Sequence, residues 1–167
     1  MKPLRLAVDT KVPLDFSDGV DAVLDAFDLL DRRVPDRDML VVPSVLDELA
    51  FLCDSADTDR VRESALHAFG VVRGQDRFRP IFELATPPAF VERLAREVRS
   101  RGLLPEEEVH DSLILGEAAI LGCALLLTSD QHLRGIDHEH LTLVLDPFEV
   151  LPPVIASPRE IVRNFFH

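Results

Sequence analysis

Tryptophan and tyrosine are both missing from this sequence, and lysine occurs twice against sixteen arginines. Base stacking would fall to ten phenylalanines, most of them in core-like positions, so no aromatic platform for nucleic acid is expected. Two cysteines are too few for a structural zinc site. Cys53 and Cys123 lie in apolar helical patterns and read as buried free thiols of a reducing cytoplasm. Neither a glycine-rich phosphate loop nor a Ser-His-Asp set is present, which removes common routes to nucleotide binding and acyl transfer. The N-terminus "MKPLRLAVDT" has no long apolar segment of the secretory kind. The most apolar stretch, "HDSLILGEAAILGCALLLTSD" from His110 to Asp130, is broken by Glu117, two glycines and a Thr-Ser pair. Turn chemistry of that kind argues against a membrane span. A cytoplasmic protein without a membrane segment is expected.

Acid is what the chain has in excess: 30 Asp and Glu against 18 Lys and Arg, a formal charge of −12. That balance argues against a protein that coats nucleic acid through a basic surface. It is compatible with an enzyme whose acids hold cations, because a bound metal reverses the local charge. The 167 residues, 47% hydrophobic and 29% charged, suit one globular domain over 1–167 with a sizeable core.

The hydrophobic pattern alternates between two periods. "LRLAVD" (4–9) reads as a buried strand ending on Asp9, and "MLVVP" (39–43) as a second one stopped by Pro43. Residues 79–84 are the third expected strand, at an edge because of Pro80. "ALLLT" (124–128) and "LTLVL" (141–145) are the fourth and fifth. Helical spacing covers 18–31, a segment after Ser44 as N-cap, 57–73, 86–100 and 107–121. Ser157 and Glu160 form a capping box that starts a C-terminal helix over about 157–165. Strands alternating with helices imply a three-layer α/β sandwich: a central, mainly parallel sheet of about five strands covered by helices on both faces.

Sheets of this kind place their sites at the carboxyl ends of the strands, where strand order reverses. That rule selects among the thirty acids. Asp9 ends the first strand and Asp130 follows the fourth; Glu48 and Asp111 lie early in the helices after the second strand and before the fourth. Four carboxylates at one sheet end raise each other's pKa unless a cation joins them. All-oxygen donors favour Mg²⁺ or Mn²⁺, and such ions suit hydrolysis of a phosphodiester.

At these residues the sequence resembles PIN-domain nucleases, and most closely stand-alone bacterial proteins of the VapC toxin type. The resemblance lies in four segments in the family's order: "LAVDTKVPLDF", "VVPSVLDELAFL", "EEVHDSLILGEAAILGC" and "ALLLTSDQHL". They span roughly residues 4 to 150 of the chain. The resemblance implies a PIN-like fold and a Mg²⁺- or Mn²⁺-dependent endoribonuclease with Asp9, Glu48, Asp111 and Asp130 as metal ligands. It also implies a site-organising hydroxyl at Thr128, an RNA substrate, and an antitoxin protein or a second copy of the chain as candidate partners. Two positions depart from the family pattern: Lys11 and His110 stand where Asn is usual. Lys11 either pairs with a site carboxylate and competes with metal, or contacts substrate phosphate.

Each residue also has a plainer reading. Asp9 can simply leave a strand, Glu48 and Asp111 can complement helix dipoles, and Asp130 can cap the turn at 131–135. Asp47 is the rival of Glu48. His132, His138 and His140 invite a transition-metal reading but fit no zinc spacing. Arg93, Arg96, Arg99 and Arg101 read either as an RNA guide or as a solvated helix face. The helices at 18–31 and 57–73 suit either core packing or a dimer or antitoxin surface. The alternative to a nuclease is a catalytically weakened PIN scaffold that binds protein or RNA. A receiver-like phosphotransfer domain would need a Lys ending a late strand, and both lysines are N-terminal.

Overall fold

A computed structural model of the chain describes residues 2–165. The extreme ends of the domain expected over 1–167 lie outside the described residues. Its centre is a five-stranded sheet in the order β3-β2-β1-β4-β5, parallel throughout. The strands are β1 (Leu4–Val8), β2 (Arg37–Val41), β3 (Arg79–Pro80), β4 (Leu125–Leu127) and β5 (Val154–Ala156). The chain builds outward from β1 through β2 to β3, then returns to the other side of β1 for β4. The order therefore reverses between β1 and β4, and the carboxyl ends of those two strands bound a crevice.

Around the sheet lie α1 (Lys11–Ser17), α2 (Asp21–Arg33), α3 (Pro43–Ser55), α4 (Asp59–Arg73), α5 (Pro88–Ser100) and α6 (Val109–Ile120). Three further helices follow: α7 (Gln131–Arg134), α8 (His138–Leu145) and α9 (Pro158–Phe165). Burial of β1 rises toward its carboxyl end, where Leu6, Ala7 and Val8 are enclosed. Strands covered on both faces read as apolar runs for this reason. α2 buries Val23, Ala26, Phe27, Leu29 and Leu30; Phe27 meets Phe16 and Phe78 at ring distances of 4.9 and 5.5 Å. α6 is enclosed over most of its circumference. Gly116 lets α5 approach it closely, since a Cβ there would sit 3.1 Å from Leu94 Cδ2.

The three-layer α/β sandwich and the count of about five strands agree with the sequence reading, but the fifth strand is a different segment. The expected strand at 141–145 is the helix α8. Asp137 caps it by accepting from the His140 backbone N–H at 2.7 Å, and Leu141 and Leu145, one turn apart, point inward. Leu143 between them is 72% exposed, which a buried strand would not allow. The fifth strand is Val154–Ala156, directly after two prolines and too short to show alternation. The third strand shrinks from 79–84 to Arg79–Pro80 and is an edge, as Pro80 requires. Ser44 does not cap α3, whose N-cap is Val42, and α1 precedes the helix expected from residue 18. The helical spacing of 18–31 and 57–73 would turn Val20 and Val61 inward, but both are exposed. Cys123 is buried, whereas Cys53 is only partly so. The Ser157–Glu160 capping box is present: the Glu160 backbone N–H donates to Ser157 Oγ at 3.1 Å and the Ser157 N–H to Glu160 Oε1 at 3.4 Å.

The connection from α6 into β4 turns at Gly122, with φ +69° and open space where a Cβ would stand. Gly122→Ala is therefore expected to cost only backbone strain, about 1 kcal/mol. Denaturant unfolding checks this, and a neutral or stabilising effect would contradict the left-handed turn.

Candidate active site

The register of the central strands sets two side chains next to each other. Val8 of β1 pairs with Leu127 of β4, so Asp9 and Thr128 leave the sheet side by side. The Asp9 backbone N–H donates to Leu127 O at 3.1 Å, and Thr128 Oγ1 donates to Asp9 Oδ2. The other Asp9 oxygen accepts from the Val12 N–H at 3.3 Å, in the first turn of α1. Thr128 Oγ1 in turn accepts from the Asp130 N–H at 3.0 Å. Asp130 caps α7 by accepting from the Leu133 N–H at 3.0 Å. Its capping role and its place in the crevice thus coexist.

Glu48 reaches the same crevice from α3. Its Oε2 accepts from Thr10 Oγ1 and lies 2.6 Å from His110 Nε2. Asp111 enters from the first turn of α6. Together Asp9, Glu48, Asp111 and Asp130 line a cleft of about 490 Å³ with Thr10, Lys11, Ile114, Ser129, Gln131 and His132. All four acids selected from the sequence meet there, with Thr128 directly beneath. Asp47 faces a separate cavity with Ser44 and Glu117, which separates it from Glu48.

Electrostatics divide the acids into two kinds. Burial pushes the Asp9 carboxyl up to about 6, with the Asp130 and Glu48 charges acting in the same direction against the Thr128 and Val12 hydrogen bonds. Burial, then the charge of Asp130 and the contact with Glu108, push Asp111 up to about 7. Glu48 moves the other way, held below the usual carboxylate range by His110 against the effect of burial. The same contact holds the His110 imidazole above its ordinary value. Burial raises Asp9 and Asp111 most and neighbouring carboxylates add to it, while the imidazole partner spares Glu48.

Lys11 does not pair with a cleft carboxylate. Its Nζ lies 3.0 Å from Asp15, one turn along α1. His132 contacts Glu108 at 3.2 Å, while His138 and His140 are exposed on α8. Three of the four arginines at 93–101 have partners: Arg93 lies over the Phe148 ring, Arg99 donates to Ser112, and Arg101, just beyond α5, pairs with Glu97. Among the described residues no three His, Cys, Asp or Glu side chains converge closely enough to hold a metal ion as they stand. The donor chemistry of the cleft, all oxygen and strongly anionic, fits a hard divalent cation. The side chains are instead engaged by hydroxyls and an imidazole.

The sequence reading gave no site role to Thr10, Ser44 or Glu117, placing Ser44 only as a helix cap and Glu117 only as a break in the apolar run. Thr10 directly follows Asp9. Glu117 is the one charged residue between the aspartates of the apolar run, which is a signal in itself, because a charge is seldom buried without a partner.

No family model matches the chain, and no curated protein does. Among solved structures, it is similar to a chain in the crystal structure of VapBC2 from Rickettsia felis bound to a DNA fragment from their promoter. The two share a TM-score of 0.60 at 14% identity, over 92% of this chain and 98% of that one. The likeness is one of fold, carried over nearly the full length of both chains.

The raised carboxyls have a consequence for stability. Asp9 and Asp111 bind protons more tightly folded than unfolded, so their contribution is complete at low pH and is lost as pH rises through about 6 to 7. Asp111→Asn removes one of these groups. In metal-free buffer its unfolding free energy should fall less steeply between pH 4 and pH 8 than that of the wild type. Parallel pH profiles from urea unfolding would refute the electrostatic account.

Proposed function

We propose that the protein is a PIN-type, Mg²⁺- or Mn²⁺-dependent endoribonuclease in one domain, acting as the toxin of a toxin-antitoxin pair. The observation that carries this reading is the meeting of Asp9, Glu48, Asp111 and Asp130 in one cleft at the point where strand order reverses. Each of the four ordered segments that resemble PIN nucleases contains one of these residues. The fold shared with a chain of the VapBC2 structure supports the choice of nuclease and the pairing with an antitoxin.

In this reading Asp9, Asp111 and Asp130 hold the cation, and Glu48 joins them directly or through water. The ion would neutralise the phosphodiester and lower the pKa of a coordinated water. The chain's own contribution is to set the donors. Thr128 and the Val12 N–H fix the Asp9 carboxylate, Thr10 and His110 fix Glu48, and the Leu133 N–H fixes Asp130. A divalent cation held by Asp9, Asp111 and Asp130 would offset the negative charge that adds to burial in raising Asp9 and Asp111. Lys11, engaged with Asp15 rather than with these acids, leaves them open to a cation. It stands at the edge of the cleft, within reach of a substrate phosphate.

Asp9→Asn and Asp111→Asn should each lower cleavage of a structured RNA pool by at least about 100-fold, while circular dichroism stays unchanged. Excess EDTA should have the same effect on the wild type, reversed by Mn²⁺. Cleavage that survives both substitutions would rule out this assignment.

A further inference from the structure

α3 and α6 meet along two polar rungs. Ser44 and Glu48 are four residues apart on α3 and share a face; His110 and Glu117, seven apart on α6, share another. The Ser44 backbone N–H and hydroxyl donate to Oε1 and Oε2 of Glu117, both at 3.0 Å. Glu48 faces His110 across 2.6 Å. One rung borders the acidic cleft; the other closes the helix pair behind it, beside a separate cavity of about 450 Å³.

The rear rung fills a gap in α3. That helix begins at Pro43 after Val42, which has no side chain able to accept from the first-turn N–H groups. Glu117 brings a carboxylate to this N-terminus from a different helix, where the helix dipole favours negative charge. It is only 6% exposed, among Ile114, Leu115, Ala118 and Ala119 of the core. A buried carboxylate is unfavourable unless its oxygens are hydrogen-bonded, and Ser44 supplies bonds to both. An apolar residue at 117 would pack with its neighbours but leave the start of α3 without an acceptor. The bond therefore fixes how α3 sits against α6, and one turn further along α3 that placement decides where Glu48 stands.

We propose that Glu117 is a positioning residue: by tying Ser44 to α6 it sets Glu48 against His110 at the cleft. The consequence for metal rests on the nuclease reading above, whereas the placement of Glu48 does not. Hydrogen-bonded partners behind metal-binding carboxylates typically change metal affinity by roughly 10–100-fold when removed.

The test uses two readouts on the full chain: the ring ¹⁵N signal of His110 at fixed pH in metal-free buffer, and Mn²⁺ affinity from electron paramagnetic resonance. Glu117→Ala, which removes both bonds, should move the His110 signal toward that of a free imidazole and weaken Mn²⁺ binding about tenfold. Ser44→Ala, which loses the hydroxyl bond but keeps the backbone N–H bond to Oε1, should move both readouts in the same direction by a smaller amount. Glu117→Gln, which can rebuild both bonds to Ser44, should stay close to wild type on both. Ser44→Ala leaves the Glu117 charge in place, so its effect on His110 reports geometry rather than loss of a nearby charge. It also carries the test alone if Glu117→Ala does not fold. A folded Ser44→Ala with the wild-type His110 signal and Mn²⁺ affinity overturns the proposal. If the wild type takes up no Mn²⁺, the metal-dependent reading falls instead, and the His110 signal alone decides the role of Glu117.

Discussion

The pairing of β1 with β4 is the constraint from which the rest of the site follows. These strands are far apart in sequence, yet their register brings Val8 level with Leu127. Asp9 and Thr128 are thereby the first residues beyond the ladder, one on each strand. A one-residue slip would turn every side chain of a strand to the opposite face of the sheet, and both faces here are buried. Hydrophobic packing of Leu6, Val8, Leu126 and Leu127 thus fixes the position of a carboxylate to which those residues contribute no polar contact. The stability of the sheet and the placement of Asp9 and Thr128 are one feature.

The helices then deliver the remaining acids by a second constraint, the contact between α3 and α6. Glu48 and Asp111 both come from early helical turns, whose location depends on how those helices start. α6 has no side-chain N-cap of its own, and α3 has none either. Such ends are normally soft. Here they are held by one another, through Ser44 with Glu117 and Glu48 with His110. His110, one of the two residues that stand where the PIN pattern usually has Asn, is thus a partner of Glu48 rather than an accident beside Asp111.

How far the sequence spoke depended on how each feature is encoded. Asp9, Glu48, Asp111 and Asp130 were legible because the end of a buried strand and the start of a helix leave marks in the hydrophobic pattern. Thr128 came through resemblance alone. The helix at 138–145 was misread because its inward Leu141 and Leu145 sit in a short run of aliphatic and β-branched residues, where helix and strand periods cannot be told apart. The Asp137 cap before it was the better signal. β5 left no trace because three residues cannot display a period, and its existence depends on β4 offering an edge. The Glu117–Ser44 bond joins residues distant in sequence; only the isolation of one charge in an apolar run hinted that it needed a partner.

The distribution of cations around the cleft explains why its acids behave differently. Three cationic or ionisable bases line or border it, and each is already matched: Lys11 with Asp15, His132 with Glu108, and His110 with Glu48. Only the last of these pairings involves one of the four acids, and Glu48 is correspondingly the one whose carboxyl is held down. Asp9, Asp111 and Asp130 have neutral donors or like-charged neighbours, and among the described residues none has a salt bridge. Hydroxyl and backbone N–H groups orient a carboxylate but do not cancel its charge. The negative charge at the mouth of the sheet thus has no cationic side chain against three of its four acids, and burial, reinforced by neighbouring carboxylates, raises Asp9 and Asp111 to about 6 and 7. A structural acid cluster would be expected to recruit some of the sixteen arginines. Among the described residues no arginine lines the cleft, so burial and the neighbouring carboxylates act on Asp9 and Asp111 without a fixed positive charge to oppose them.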